Sequence, residues 1–320
     1  MDTKAKLELI KRNTVEIVKE EELKEVLKKK NPVIYCGYEP NGPVHLGHFV
    51  TLTKLMDFEK TGFKVKILIA DIHALLNRKG EEAAIKKDVE GWIKTIKAVG
   101  LKAEIVLGSD FQFKEDYVRE IMSLAQDTTI KRGLRSMQEV ARDIDNATIS
   151  QLWYPLMQIQ DIKVLKCDVA YGGMEQRKIH MLGRDASKIT GHSFVAVHTP
   201  LITSLKGPGQ KMSKSIPGSF ISVTDSDEVI KKTLSGAYCP DKDVTNNPIL
   251  EISKLIVFPN IKKLEIKRPE KFGGDLEIKT YEELEDVYTS GKIHPLDLKN
   301  TIANELIKII TPIRKKWSNA

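Results

Sequence analysis

Apolar and polar positions follow two periods along this chain, and the switches between them mark its elements. Residues 1–30 are dense in Lys and Glu with Leu and Ile at helical intervals, which predicts helices. Val33–Tyr38 (V-I-Y-C-G-Y) is a short apolar run suited to a buried strand, and the turn-forming stretch 39–43 follows it. Residues 45–61 return to helical spacing through Val50, Leu52, Leu55 and Met56. The pattern then predicts a strand over 65–70, a helix over 81–99 and a strand over 103–108. From about 111 to 167 it is mostly helical, and the alternation resumes with a helix near 176–187 and a strand at 193–199. Strands alternating with helices imply parallel pairing through right-handed crossovers, hence a doubly wound α/β sheet of Rossmann type. Ligands of such sheets sit beyond the carboxyl ends of the strands, where the strand order reverses. Residues 39–50 and 71–73 both lie just past strand ends.

After Lys206 comes a glycine-rich polar loop, G-P-G-Q-K-M-S-K-S-I-P-G. Asp225 and Glu228 then read as a capping box opening a helix. The remainder turns helical, most clearly over 247–258 and 295–317, with I-K-R-P-E-K-F-G-G-D-L (266–276) irregular between them. These switches predict a catalytic domain over 1–219, with a helical insertion at about 111–150 and a loop at 206–218. A mainly α-helical domain over 220–320 would follow. No internal repeat or low-complexity segment interrupts this division.

Composition narrows the class. At 320 residues the chain can build ample core without covalent staples, and its three cysteines form no Cys-x-x-Cys pair. The amino terminus, M-D-T-K-A-K-L-E, has no apolar signal core, and no apolar run approaches membrane-spanning length, so a cytoplasmic protein without a membrane partner is expected. A formal net charge of +7 permits a polyanionic partner without demanding one.

The chemistry concentrates in two short words. The first is E-P-N-G-P-V-H-L-G-H (39–48), with His45 and His48 around Gly47. Three readings are open: a pair of metal ligands, two structural histidines, or a nucleotide site at a helix start. Helix N-termini offer unpaired N–H groups to phosphates, glycine lets a flat base approach the backbone, and imidazoles donate to phosphate oxygens. The metal reading lacks a third ligand in sequence and the Glu of a zincin motif, so no protein-bound metal is expected. The second word is Lys211-Met212-Ser213-Lys214-Ser215, in a loop bounded by Gly207, Gly209 and Gly218. Two lysines and two hydroxyls on such a loop can follow a triphosphate and neutralise departing pyrophosphate. An ordinary solvated basic loop would account for the charges, but not for this word downstream of H-L-G-H.

Together, H-L-G-H and K-M-S-K-S resemble the two signatures of class I aminoacyl-tRNA synthetases. The chain has no room for an editing domain, which is similar to the tyrosyl and tryptophanyl members. The resemblance implies catalytic roles for His45, His48, Lys211 and Lys214. It implies an ATP site built from Gly37, Gly47, both histidines and residues Lys211, Met212, Ser213, Lys214 and Ser215, with ATP entering as its Mg2+ complex.

Tyr154, Gln158 and Asp161 are spaced i, i+4 and i+7, so a helix would set them on one face. Taken alone, that face could simply be exposed. With G-G-M-E-Q-R-K-I-H (172–180) the segment resembles the amino-acid pocket of archaeal and eukaryotic tyrosyl-tRNA synthetases. The resemblance implies that Tyr154, Gln158 and Gln176 hold the substrate's ammonium group, and that Tyr35 and Asp161 bond its phenolic hydroxyl. Ile67, His73, Phe111 and Gln112 would line the ring. Phenylalanine would leave Tyr35 and Asp161 unpaired.

The resemblance continues through K-R-P-E-K-F-G-G-D-L (267–276) and H-P-L-D-L-K-N (294–300), similar to the anticodon-binding domain of archaeal tyrosyl enzymes. There Phe272 would stack on a base while His294 and Asp297 read base edges. On residue type alone, Phe272 is equally a loop anchor and His294 a helix cap. Arg135, Arg177 and Lys178 match positions that read the first acceptor-stem pair. Basic residues at Arg314, Lys315 and Lys316 could touch phosphates or merely favour a helix C-terminus. The implied partners are L-tyrosine, ATP, tRNA(Tyr) and a second copy of the chain, docked through the 111–150 insertion. A tryptophanyl enzyme, a small-molecule nucleotidylyltransferase and a non-catalytic RNA-binding relative are the alternatives.

Overall fold

The computed structural model of the chain describes residues 1–141, 143–209 and 216–319. They form two compact units. One comprises residues 1–41, 54–93 and 101–200, the other residues 42–53, 94–100 and 201–320.

The first unit is built on a six-stranded sheet of β1 (Glu16–Ile17), β2 (Val33–Tyr38), β3 (Lys64–Ile69), β4 (Ala103–Leu107), β5 (Val169–Gly173) and β6 (Val195–Thr199). The strand order is β1-β6-β5-β2-β3-β4, parallel throughout except for β1, which runs antiparallel along β6. This is the doubly wound arrangement expected from the alternating pattern. The order reverses between β2 and β5, so the crevice beyond their carboxyl ends is where a ligand belongs. Two strands escape the sequence pattern. β1 has two residues, and β5 (V-A-Y-G-G) ends in two glycines, which weaken a strand signal.

The stretch between β4 and β5 is helical as expected: Glu115–Asp127, Ile130–Met137 and Ile149–Val164. Most of the last of these is buried, including its polar Gln151, Tyr154, Gln158, Gln160 and Asp161. Its apolar residues Leu156, Met157, Ile159 and Ile162 join Tyr35, Leu68, Phe111 and Tyr117 in one core cluster.

Register corrects one expectation. Ile67 pairs across from Cys36, whereas Leu68 pairs across from Gly37, on the same face as Tyr35. Side chains alternate along a strand, so Leu68, not Ile67, belongs with Tyr35 and Phe111.

The second unit is mainly helical, with Asp227–Ser235, Pro248–Ile252, Tyr281–Thr289 and Pro295–Ser318 as the α-helices of its 201–320 segment among the described residues. Pro248–Ile252 continues as a π-helical turn, Ser253–Val257. The segment read as irregular carries a hairpin of β7 (Leu264–Ile266) and β8 (Leu276–Ile278), with Gly273 and Gly274 at φ of 94° and 68° between them. The helix cap also differs from expectation. Ser226, not Asp225, accepts from the Val229 N–H, because the Asp225 carboxylate is taken by the Ser222 N–H. Arg314 is held within this unit by Asp227 at 2.6 Å and by the Asp225 carbonyl. Among the described residues no helix is long and apolar enough to cross a membrane.

Candidate active site

Within the first unit the carboxyl end of β2 meets the buried face of helix Ile149–Val164. Asp161 sits at the centre and is wholly buried. One of its oxygens accepts from the Tyr117 hydroxyl at 2.7 Å and from Gln112 Nε2 at 2.9 Å. Burial raises the Asp161 pKa to about 7, while the Gln112 and Tyr117 donors pull the other way. The Asp161 charge is felt at Tyr35, whose own hydroxyl burial holds well above its ordinary pKa. Tyr35 is therefore a neutral phenol, able to donate and accept.

His73 lies between Gln112 and Asp161. Gln112 Nε2 approaches His73 Nδ1 at 3.4 Å, and His73 Nε2 lies 3.5 Å from Asp161 Oδ2. Burial lowers the His73 pKa to about 3, so the ring is neutral and the second distance is too long for a good hydrogen bond. His73 Nε2, Asp161 Oδ2 and also Gln112 Oε1 are buried without a hydrogen-bond partner. Three unmatched polar atoms, one of them the carboxylate's own Oδ2, cost stability in the free protein unless a ligand satisfies them.

A second set of contacts lies beside it. The Tyr154 ring meets His73 edge-on at 4.5 Å, and its hydroxyl donates to Glu39 Oε1 at 2.6 Å. Gln158 Nε2 donates to Gln176 Oε1 at 3.1 Å. The structure thus joins Asp161 with Gln112 and His73, Tyr154 with His73, and Gln158 with Gln176, all expected as pocket residues. Tyr117 and Glu39 were missed. An aromatic on an amphipathic helix reads as core, and an acid before a proline turn reads as solvated surface.

Glycines clear the space around these groups. A Cβ on Gly37 would meet the Tyr35 hydroxyl at 2.5 Å, one on Gly108 would meet Gln112 Oε1 at 2.5 Å, and one on Gly172 would meet Gln176 Cγ at 2.8 Å. Each lies at or just past the end of a sheet strand.

The histidine word belongs to the second unit and opens helix Leu46–Lys60. The rings of His45 and His48 stack with centroids 3.7 Å apart. His45 Nδ1 accepts from the Gly47 N–H at 3.1 Å, and His48 Nδ1 accepts from the His45 N–H at 3.3 Å. Because each Nδ1 is an acceptor, each neutral ring must carry its hydrogen on Nε2. Burial lowers the His45 pKa to about 4, so that ring is neutral. Residues 221–223 pin the turn: Leu46 N–H bonds Ile221 O, Val223 N–H bonds Val44 O, and His45 pairs with Ser222 as a β-bridge. The two backbone-fixed rings at a helix start fit phosphate donors better than a metal pair, since both Nδ1 atoms are already engaged. Among the described residues no group of three or more His, Cys, Asp or Glu gathers to hold a metal ion. Lys211, Met212, Ser213, Lys214 and Ser215 lie outside the described residues.

Of the residues expected to meet RNA, Arg177 and Lys178 open helix Arg177–Asp185 and Arg135 lies exposed on Ile130–Met137. Lys178 reaches Gln138 at 2.8 Å and Glu139 at 2.9 Å, just past the Arg135 helix. His294 caps helix Pro295–Ser318, its Nδ1 accepting from the Leu296 N–H, with Asp297 in the first turn. Phe272 ends the 3-10 turn Glu270–Phe272, and its side chain lies outside what is described.

Comparison with known proteins adds three findings. A family model described as tRNA synthetases class I (W and Y) matches residues 27–311. The chain is 50% identical over 310 residues to the tyrosine–tRNA ligase of Methanocaldococcus jannaschii, covering 97% of this chain and 98% of that protein. The crystal structure of a tyrosyl-tRNA synthetase from Archaeoglobus fulgidus complexed with L-tyrosine superposes with a TM-score of 0.94 at 44% identity, covering 99% of this chain and 100% of that one.

Proposed function

We infer the reaction from the premise that the chain belongs to the class I aminoacyl-tRNA synthetases of the tryptophan and tyrosine group, and within it to the tyrosine–tRNA ligases. It activates L-tyrosine with ATP to tyrosyl-adenylate and transfers the tyrosyl group to the 3′ end of tRNA(Tyr). The observation that carries the choice of amino acid is Asp161, buried, with Oδ2 lacking a partner. A substrate phenol donates to Oδ2 and accepts from Tyr35. Phenylalanine leaves both groups unsatisfied, the costlier outcome for buried polar atoms. Tyr154, Gln158 and Gln176 receive the ammonium group, with Glu39 supplying the negative charge behind Tyr154.

The carboxylate attacks the α-phosphate in line, and little side-chain proton transfer is needed, so positioning and charge stabilisation dominate. His45 and His48 present Nε2–H donors to the phosphates. Gly37 and Gly47 leave room for the nucleotide, and Lys211 and Lys214 neutralise the departing pyrophosphate, with Met212, Ser213 and Ser215 completing that loop. Mg2+ arrives with ATP and is held by the phosphates. Residues 220–320 act as the anticodon-binding domain, with Phe272, His294 and Asp297 at the bases, while Arg135, Arg177 and Lys178 meet the acceptor stem. Phe113, Met122, Ile130 and Ile149 leave large apolar side chains exposed on the insertion, which supports a homodimer through it. The expected setting is the cytoplasm.

Pyrophosphate exchange measured with each amino acid in turn tests this reading. Exchange stimulated by tyrosine alone is expected. Stimulation by tryptophan would reassign the substrate, and no exchange would leave only an RNA-binding role. In the same assay Lys214→Ala should slow adenylate formation with tyrosine affinity unchanged.

A further inference from the structure

Four side chains of the first unit form a chain that the tyrosine pocket does not use. The short strand β1 sets Glu16 directly across from His198 on β6. Arg177 and His180 stand one turn apart on helix Arg177–Asp185, so they share a face. Arg177 grips Glu16 with both edges of the carboxylate, Nε to Oε2 at 2.7 Å and Nη2 to Oε1 at 2.9 Å. His198 Nδ1 meets Glu16 Oε2 at 3.0 Å, and His180 Nδ1 meets His198 Nε2 at 3.0 Å, their rings nearly parallel at 26°.

The direction of each hydrogen follows from its neighbours. A carboxylate only accepts, so His198 carries its hydrogen on Nδ1 and offers a lone pair at Nε2. His180 must then donate from Nδ1. Both rings are buried and their pKa values are lowered, which keeps them neutral and fixes these tautomers. His180 Nε2 is left as a buried lone pair with no partner. The His180 ring lies against Gly172 beside Gln176, at 3.8 Å from the position a Cβ there would take.

A half-exposed Arg–Glu pair contributes little to fold stability. What two-edged pairing does provide is orientation, because it fixes the plane of the guanidinium. Two of the five Arg177 N–H groups are spent on Glu16, and the side chain remains 42% exposed. We propose that Glu16, aligned by His198 and His180, is a positioning residue for tRNA: it sets the guanidinium plane of Arg177 so that the remaining N–H groups read the first acceptor-stem pair. This rests on the assignment of Arg177 to the acceptor stem made above.

The test uses Glu16→Gln, Arg177→Ala and the double variant in the full chain. Each is assayed for tyrosine-dependent pyrophosphate exchange, and for aminoacylation of tRNA(Tyr) with its native or exchanged first pair. Glu16→Gln is expected to leave exchange within about twofold and to lower aminoacylation kcat/KM about tenfold, through KM for tRNA, as expected for losing a charge-assisted contact. Preference for the native pair should fall by the same factor, and the double variant should match Arg177→Ala. If Arg177→Ala leaves aminoacylation unchanged, the acceptor-stem assignment fails and the inference with it. If Arg177→Ala is costly while Glu16→Gln is silent, lowers both tRNAs equally, or multiplies with Arg177→Ala, Glu16 is merely structural and the proposal alone is overturned. Glu16→Asp keeps the charge opposite His198 and should show the same split, more weakly, if the amide variant does not fold.

Discussion

Around Asp161, polar side chains hold one another, whereas at His45 and His48 the backbone does the holding. The first arrangement leaves a carboxylate with a raised pKa and three polar atoms lacking partners. The second leaves no such strain: each Nδ1 is matched by an N–H of its own turn, and each neutral ring presents a donor. On the assignment proposed above, the contrast matches two tasks. Choosing tyrosine requires a site that is incomplete without a hydroxyl. Stabilising phosphate charge requires donors whose orientation does not depend on the ligand.

Variants can break this contrast from either side. The largest effect is expected for His45→Ala or His48→Ala, a loss of about 10²–10³-fold in kcat for adenylate formation. Tyrosine affinity, read by equilibrium titration, should stay unchanged, and a parallel loss of affinity would mean that the two sites are not separable. Asp161→Asn should act in the opposite sense, raising KM for tyrosine about 10²-fold, since a charge-assisted acceptor is lost. Exchange assays with phenylalanine should show discrimination shrinking by a similar factor.

Solution pH separates the two regions next. Burial lifts the Asp161 pKa to about 7, and a phenol donating to Oδ2 favours the ionised form. Tyrosine affinity should therefore fall as pH drops from 8 to 6, by up to about tenfold if only the carboxylate binds. His45, with its pKa lowered to about 4, is neutral across that range, so it should add no titration to kcat near pH 6.5. Calorimetric affinities and single-turnover rates across this range check both statements. The smallest effect is expected for Tyr117→Phe, which removes one donor to Asp161. KM for tyrosine should rise about fivefold, the worth of one hydrogen bond, and the pH midpoint should move upward.

The same contrast governs what could be read from the sequence. The strands β2, β3, β4 and β6 are mostly apolar stretches of five or six residues, long enough to mark themselves. β1 exists because Glu16 and Ile17 find β6, a long-range fact that two residues cannot announce. The histidine turn stands out in the sequence because its ring contacts are local, with a glycine, two rings and a helix start within four residues, whereas the bonds from residues 221–223 that pin it do not show there. The pocket was legible only through its helical spacing and its resemblance. Tyr117 and Glu39 are brought in by tertiary packing from 44 and 115 residues away in sequence. The exchange of Leu68 for Ile67 is a one-residue slip in face, which the consecutive apolar residues I-L-I at the end of β3 do not resolve.

The glycines at 37, 108 and 172 carry a consequence for how such a pocket can change over generations. Each leaves a gap that a neighbouring side chain already fills, so adding a single methyl group displaces that neighbour rather than altering the mutated residue's own chemistry. A glycine-to-alanine change needs one nucleotide and is mild on most surfaces. Here it would reach the Tyr35 hydroxyl, the Gln112 amide or the Gln176 side chain without touching their codons. Drift in amino-acid choice therefore has two entrances, the polar residues themselves and the missing atoms beside them, and a survey restricted to the former would overlook the latter.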